Sequence, residues 1–114
     1  MFKMTFQQQP WLAGIVVALW MSAGGAAHAG DPVAGKARAA MCVTCHGPLG
    51  LSQVPNAPNL AGQPAIYLVA QLVNFRNGKR QNEVMNVMAK PLTDQEIDDL
   101  AAWYASIQIS VTAK

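Results

Sequence analysis

The stretch Cys42-Val43-Thr44-Cys45-His46 contains both cysteines of the chain and one of its two histidines. Residues three or four apart share one face of a helix, so both thiols and the imidazole can point at the same object. Cys-x-x-Cys-His is typical of covalent haem attachment, in which the thiols form thioethers and the histidine binds the iron. We expect this helix to end directly afterwards, because Gly47-Pro48 is a common stop signal.

Three other uses of the two cysteines compete with haem attachment: a disulfide, a redox dithiol and half of a zinc site. A thioredoxin-type dithiol needs a βαβ setting, and no strand-like alternation flanks these cysteines. A structural zinc needs four ligands, but there is no third cysteine and the other histidine, His28, lies in a predicted leader. Cysteines in an oxidising compartment tend to pair, whereas thioether formation would consume both. The motif therefore predicts one covalently bound haem c.

The first 29 residues resemble a secretory signal peptide cleaved after Ala29, which predicts a periplasmic protein. The apolar run 11–21 is short for a membrane span. The alternative is an uncleaved anchor, which Pro10 and the small residues of 22–29 disfavour. Lys3 is the only charged residue of this leader, so 30–114 keeps seven Lys/Arg against six Asp/Glu. We expect one small domain that binds neither membrane nor nucleic acid.

Helix signals divide the predicted domain. Asp31-Pro32 is an N-cap followed by proline and predicts a first helix, whose inner side would carry Val33, Ala37, Ala40 and Met41. Residues 64–77 are predicted to form a second long helix, which would end before Gly78. Its apolar stripe consists of Leu68, Leu72 and Phe75. Thr93-Asp94-Gln95-Glu96 is a capping box and predicts a last helix that crosses the first, with Asp98 and Asp99 on its solvated face. The predicted apolar stripe of this helix consists of Ile97, Leu100, Ala101, Tyr104 and Ile107.

Four further motifs accompany the cysteine motif: Pro58-Asn59-Leu60-Ala61-Gly62-Gln63, Tyr67-Leu68-x-x-Gln71-Leu72-x-x-Phe75-Arg76-x-Gly78-x-Arg80, Met85-x-x-Met88-Ala89 and Leu92-Thr93-Asp94-x-Glu96-Ile97. In this combination the chain resembles a small class I c-type cytochrome. It is most similar to bacterial periplasmic forms with a single haem and to one half of their two-haem relatives. The resemblance covers nearly all of the chain after the leader. It implies an all-α cytochrome c fold, with three main helices and a short fourth around one covalently bound haem.

The distal iron ligand has two candidates close together in the chain. Residues 30–114 contain only one histidine, His46, which excludes ligation by two histidines. Met85 and Met88 are three apart and share a helix face, so spacing alone does not separate them. The resemblance implies that Met85 binds the iron and that Met88 packs on the ring. Met41 is interpreted as packing, because it lies on the attachment helix.

Two further residues are predicted to contact the haem or its ligand. A proximal histidine normally donates its second ring N–H to an acceptor, and the resemblance implies that this acceptor is the carbonyl of Pro58. Arg80 is a candidate partner for a haem propionate, because a guanidinium suits carboxylates. The alternative for Arg76, Lys79 and Arg80 is a basic cluster that is favourable at a helix C-terminus or that steers an acidic partner.

An iron held by His46 and Met85 has both axial positions filled, so we expect one-electron transfer and no enzymatic activity. The predicted protein is a monomer that meets redox partner proteins through a small, transient interface. One alternative is a cytochrome subunit of a larger oxidoreductase complex. Another is a haem sensor or peroxidase with an open distal site, which requires that no methionine binds the iron.

Overall fold

A computed structural model describes residues 29–113, which form five α-helices and one 3₁₀ turn. The helices are α1 (Pro32–Arg38), α2 (Val43–His46), α3 (Ala65–Arg76), α4 (Glu83–Ala89) and α5 (Asp94–Ser106), and the 3₁₀ turn Ala39–Met41 joins α1 to α2. The described part of the chain contains no strand, and the predicted all-α class is confirmed. Except for Ala29, the predicted leader lies outside the described residues. Within residues 29–113 no helix is long and apolar enough to cross a membrane.

The helices begin where the local signals predicted. Asp31 is the N-cap of α1, where its carboxylate accepts a hydrogen bond from the Val33 amide at 2.8 Å. The capping box of α5 is confirmed, because Thr93 and Glu96 each accept a hydrogen bond from the other's backbone amide. Helix α3 follows Pro64 and ends before Asn77, within one residue of both predicted ends. These contacts satisfy amides that would otherwise lack partners at a helix start.

The hydrophobic core lies where α1, α3 and α5 meet. Helix α5 packs against both α1 and α3, and α4 packs against α3. Four residues of the predicted stripe, Ile97, Leu100, Ala101 and Tyr104, are buried. The fifth, Ile107, directly follows α5 and is partly buried against the core. The buried residues that complete this core come from the other segments, namely Ala39, Leu68, Phe75, Ala89 and Leu92. The predicted crossing of the last helix with the first is thus confirmed.

The predicted inner side of α1 is wrong for three of its four residues. Val33 is 78% exposed, and Ala37 and Ala40 are also exposed. Gly35 and Ala39 are buried instead. A Cβ on Gly35 would overlap the backbone carbonyl of Asp99, so the absent side chain lets α1 approach α5 closely. A hydrophobic pattern identifies the faces of a helix that carry large apolar side chains. It cannot identify a contact in which a glycine packs directly against another backbone.

The predicted solvated position of Asp99 is also wrong, since this residue is only 9% exposed. Its carboxylate oxygen accepts hydrogen bonds from the Asp31 amide and from Gln95 Nε2, both at 2.8 Å. The first of these bonds joins the start of α1 to the middle of α5. A buried carboxylate needs such donors, because burying an unpaired charge is costly.

The contact between α1 and α5 generates a stability prediction. Alanine in place of glycine normally stabilises a helix by about 0.5–1 kcal/mol. We expect the opposite sign for Gly35→Ala, a loss of about 1–3 kcal/mol, because the methyl group must push two backbones apart. Thermal or denaturant unfolding measures the difference. Val33→Ala is the control on the exposed side of α1 and should change the unfolding free energy by less than about 0.5 kcal/mol. A Gly35→Ala protein as stable as the wild type would contradict this account.

Candidate functional site

A cavity of about 530 Å³ lies among α2, α3, α4, α5 and the loop between α2 and α3. Its size is within the range of about 300–1,000 Å³ that is usual for ligand and cofactor pockets. The walls are largely apolar, and they include core residues from α3, α4, α5 and the connection between α4 and α5: Leu68, Phe75, Ala89, Leu92, Leu100 and Ala101. All of the predicted site residues line this cavity: Cys42, Cys45, His46, Pro58, Arg80, Met85 and Met88.

His46 is the last residue of α2 and is only 7% exposed. Gly47 directly follows α2 and has a φ of 81°, a left-handed conformation that favours glycine. The predicted stop of the helix is therefore present. The Nδ1 atom of His46 lies 2.8 Å from the Pro58 carbonyl oxygen. A carbonyl only accepts hydrogen bonds, so Nδ1 must carry the proton of this bond, and in the neutral ring the lone pair then lies on Nε2. The imidazole is therefore held in the tautomer that can bind a metal through Nε2.

Cys42 and Cys45 are both free thiols that border the cavity. Cys42 is half-buried between the 3₁₀ turn and α2, and it packs against the core, whereas Cys45 is exposed. Burial raises the pKa of the Cys42 thiol, and the nearby Tyr104 hydroxyl and Arg38 guanidinium oppose that shift. One thiol is thus fixed inside the cavity, and the other lies where the cavity meets solvent.

Tyr104 places a hydroxyl group at the cavity. The sequence pattern indicated only that this residue belongs to the core. Its hydroxyl is buried beside the Cys42 thiol, makes no hydrogen bond of ordinary geometry with the described residues, and belongs to a side chain that lines the cavity. Burial and the neighbouring Cys42 raise the pKa of this hydroxyl above its ordinary value. A buried polar atom without a partner is uncommon in proteins. This cavity therefore has the size, the apolar walls and the donor atoms that suit a covalently held haem.

Helix α4 brings Met85 and Met88 to the cavity. Its N-cap, Asn82, accepts hydrogen bonds from the amides of Val84 and Met85, at 3.1 and 2.9 Å. Asn86 ties α4 to the end of α3, since its Nδ2 donates to the carbonyls of Phe75 and Arg80 at 2.7 and 2.8 Å. Both methionines are partly buried, and Met85 packs against the core. Two soft sulfur donors therefore line the same cavity as the imidazole.

The two arginines near the end of α3 have different surroundings. Arg76 donates to the Leu92 carbonyl at 3.0 Å and to an Asp94 carboxylate oxygen at 2.6 Å, so it joins α3 to the start of α5. Arg80 borders the cavity, where Nη1 donates to Gln71 Oε1 at 2.6 Å and the guanidinium lies 4.6 Å from the Phe75 ring centre. Only Arg80 is available at the cavity, and its guanidinium retains further donors.

Comparisons with known proteins agree with this geometry. The family model for cytochrome c matches residues 32–108. Cytochrome c4 of Thiocapsa roseopersicina is 55% identical over 82 residues, which are 71% of this chain and 42% of that protein. Cytochrome c-554(548) of Halomonas halodenitrificans is 42% identical over 81 residues, which are 68% of this chain and 98% of that protein. The crystal structure of reduced recombinant cytochrome c4 from Pseudomonas stutzeri has a TM-score of 0.68 and 40% identity, and the match covers 73% of this chain and 48% of that one.

The chain spans about half the length of the two cytochrome c4 relatives and nearly all of cytochrome c-554(548). The predicted cytochrome c fold and the resemblance to one half of a larger cytochrome are confirmed. The family match extends from the start of α1 to beyond the end of α5, so it includes every residue named at the cavity. The chain belongs to the cytochrome c family.

Proposed function

We propose that this protein is a periplasmic one-electron carrier, with a single haem attached through Cys42 and Cys45. Members of the cytochrome c family hold haem covalently. The observation that carries the proposal is the hydrogen bond of 2.8 Å between His46 Nδ1 and the Pro58 carbonyl, beside two thiols that border one apolar cavity. When bound, haem supplies an iron that gains or loses one electron. The residues of this chain bind that group, orient its ligand and limit its contact with water.

His46 and Met85 are the proposed axial ligands. The Pro58 carbonyl accepts a hydrogen bond from His46 Nδ1–H, which holds the ring orientation and makes Nε2 a stronger donor. The thioether of Met85 is a soft donor, and its partly buried position against the core supports this choice. Met88 then packs on the ring. If His46 and Met85 both bind the iron, no coordination site would be left for a substrate, so the proposed role is electron transfer and not catalysis.

Arg80 is the proposed partner of a haem propionate. Its side chain borders the cavity and is exposed to solvent. The hydrogen bond to Gln71 and the contact with the Phe75 ring orient the plane of its guanidinium group. A guanidinium with remaining N–H donors can accommodate a carboxylate in a forked geometry. Arg76 is not proposed for this role, since its guanidinium binds Asp94 and the Leu92 carbonyl.

Electrons would pass through the exposed rim of the cavity. Thr44, Cys45, Tyr67 and Val84 line the cavity and are also exposed, so they mark its opening to solvent. A redox partner that docks there would need only a small interface, of less than about 1,200 Å², which favours rapid exchange of partners. We propose that the chain acts as a monomer after its leader is removed behind Ala29.

The holoprotein tests the proposed function directly. We expect protein from the periplasm of a host that matures c-type cytochromes to have the mass of residues 30–114 plus one haem. A potentiometric titration should follow a one-electron curve, and the ferrous form should bind carbon monoxide slowly, because both axial positions are filled. Colourless protein with free or mutually oxidised cysteines would refute the proposal. Rapid carbon monoxide binding would favour an open distal site instead.

Met85→Ala and Met88→Ala form a matched pair that tests the distal ligand. We expect Met85→Ala to abolish the charge-transfer band of methionine-bound ferric haem. It should lower the reduction potential by on the order of 0.1 V, since axial ligands set potentials over a range of about 0.8 V. Met88→Ala should keep the band, because only packing is lost. The reverse result would move the assignment to Met88.

Loss of both thioethers should weaken the fold. An empty cavity of about 530 Å³ costs at most on the order of 10 kcal/mol, at about 24 cal/mol per Å³. That cost is comparable with the whole stability of a small domain. We therefore expect a Cys42→Ser, Cys45→Ser double variant to release haem in denaturant and to lose its cooperative thermal transition. Cys45→Ser alone is the control, since one thioether remains. A native-like transition in the haem-free double variant would contradict this prediction.

A further inference from the structure

The loop between α2 and α3 is closed by two polar side chains, Ser52 and Asn59. This loop carries Pro58, whose carbonyl accepts the hydrogen bond from His46. Pro58 itself lines the cavity. Side-chain hydrogen bonds within this loop help to define where its carbonyl lies relative to the imidazole.

Ser52 connects the loop to the residue that precedes His46. Its Oγ lies 3.0 Å from the Cys45 carbonyl oxygen and 3.0 Å from the Val54 carbonyl oxygen, and it accepts from the Val54 amide at 3.2 Å. One hydroxyl proton can serve only one of the two carbonyls. The Val54 carbonyl also accepts from the Ala57 amide at 3.4 Å. Helix α2 ends at His46, so no intrahelical amide reaches the Cys45 carbonyl, and Ser52 is its natural donor.

Asn59 directly follows Pro58 in the chain, and its side chain connects this end of the loop to Ser52. Its Oδ1 accepts a hydrogen bond from the Ser52 amide at 2.7 Å, across seven residues of sequence. The next residue, Leu60, donates its amide to the Gly50 carbonyl at 2.7 Å. The path thus runs from Cys45 to Ser52 and on to Asn59. It joins the chain neighbour of His46 to the chain neighbour of Pro58.

We propose that Ser52 and Asn59 are positioning residues that set the hydrogen bond between the His46 imidazole and the Pro58 carbonyl. The inference rests on the proposed function, in which His46 is the proximal iron ligand. Neither side chain touches the iron or the imidazole. They act through the backbone on either side of the bond, so they tune how strongly Nε2 donates to the metal.

The sign of the effect follows from ligand basicity. A shorter, better aligned Nδ1–H···O bond makes the imidazole a stronger donor, which stabilises ferric iron more than ferrous iron. Loosening the loop lengthens that bond, weakens the donor and raises the reduction potential. The same change exposes the Nδ1 proton to exchange with solvent. Potential and proton exchange should therefore move together.

The experiment uses the haem-loaded protein and four variants. Ser52→Ala removes the hydroxyl, Asn59→Ala removes the acceptor of the Ser52 amide, and Ser52→Thr keeps a hydroxyl at the same position. Gln53→Ala is the matched control, because Gln53 is an exposed neighbour in the same loop. Redox titration and exchange of the His46 ring N–H, followed by NMR in the ferrous form, provide two readouts other than electron-transfer activity.

Losing one net hydrogen bond corresponds to about a fivefold change in an equilibrium. We expect Ser52→Ala and Asn59→Ala to speed exchange of the ring proton by about fivefold. The ratio of ferric to ferrous protein at the wild-type midpoint potential should fall by up to about the same factor. Ser52→Thr should restore both values, and Gln53→Ala should match the wild type.

Unchanged exchange and potential in both alanine variants, with haem still attached, would overturn the positioning role even if thermal stability fell. Opposite movement of the two readouts would also overturn it. Failure of the wild-type chain to attach haem is a different result, because it refutes the proposed function before any variant is compared. If either Ser52→Ala or Asn59→Ala attaches no haem, the other alanine variant is compared with the wild type.

Discussion

The hydrogen bond between His46 Nδ1 and the Pro58 carbonyl oxygen is the interaction on which the rest of the site depends. It selects the imidazole tautomer, and it also brings the loop after α2 back against the cavity. Because α2 has only four residues, it cannot orient the ring by its own stability. The loop must supply that order. The proposed means are two hydrogen bonds, from the Ser52 hydroxyl to the Cys45 carbonyl and from the Ser52 amide to the Asn59 side chain.

Helices α3, α4 and α5 surround the cavity, and many of their core residues also form its wall. Leu68, Phe75, Leu92 and Leu100 belong both to the core cluster and to the cavity wall. The packing of α1 on α5 depends on their close approach at Gly35 and on the hydrogen bond from the Asp31 amide to Asp99. A small domain buries little apolar surface, so it gains much from a large prosthetic group in its middle.

The cavity combines ligands from separate parts of the chain. The imidazole and the thiols come from α2 and the turn before it, whereas the methionines come from α4. Asn82 and Asn86 hold α4 against the end of α3, which keeps the sulfur donors near a cavity built by other helices. This arrangement suits the proposed electron transfer, because donors held by separate packed segments would keep the rearrangement between two oxidation states small. In that proposal, the exposed rim at Cys45 and Tyr67 is where a redox partner would dock.

Local patterns by themselves determined the family resemblance, the all-α class, the stop at Gly47 and the capping box at Thr93, because each depends on residues close together in the chain. They also predicted a stripe of buried residues on α5, since large apolar side chains mark it. Only the tertiary structure decided the inner face of α1, the buried role of Asp99 and the burial of the Tyr104 hydroxyl beside Cys42. The physical reason is that a close contact through Gly35, or a hydrogen bond from Asp31 to Asp99 across 68 residues, leaves no periodic mark in either segment.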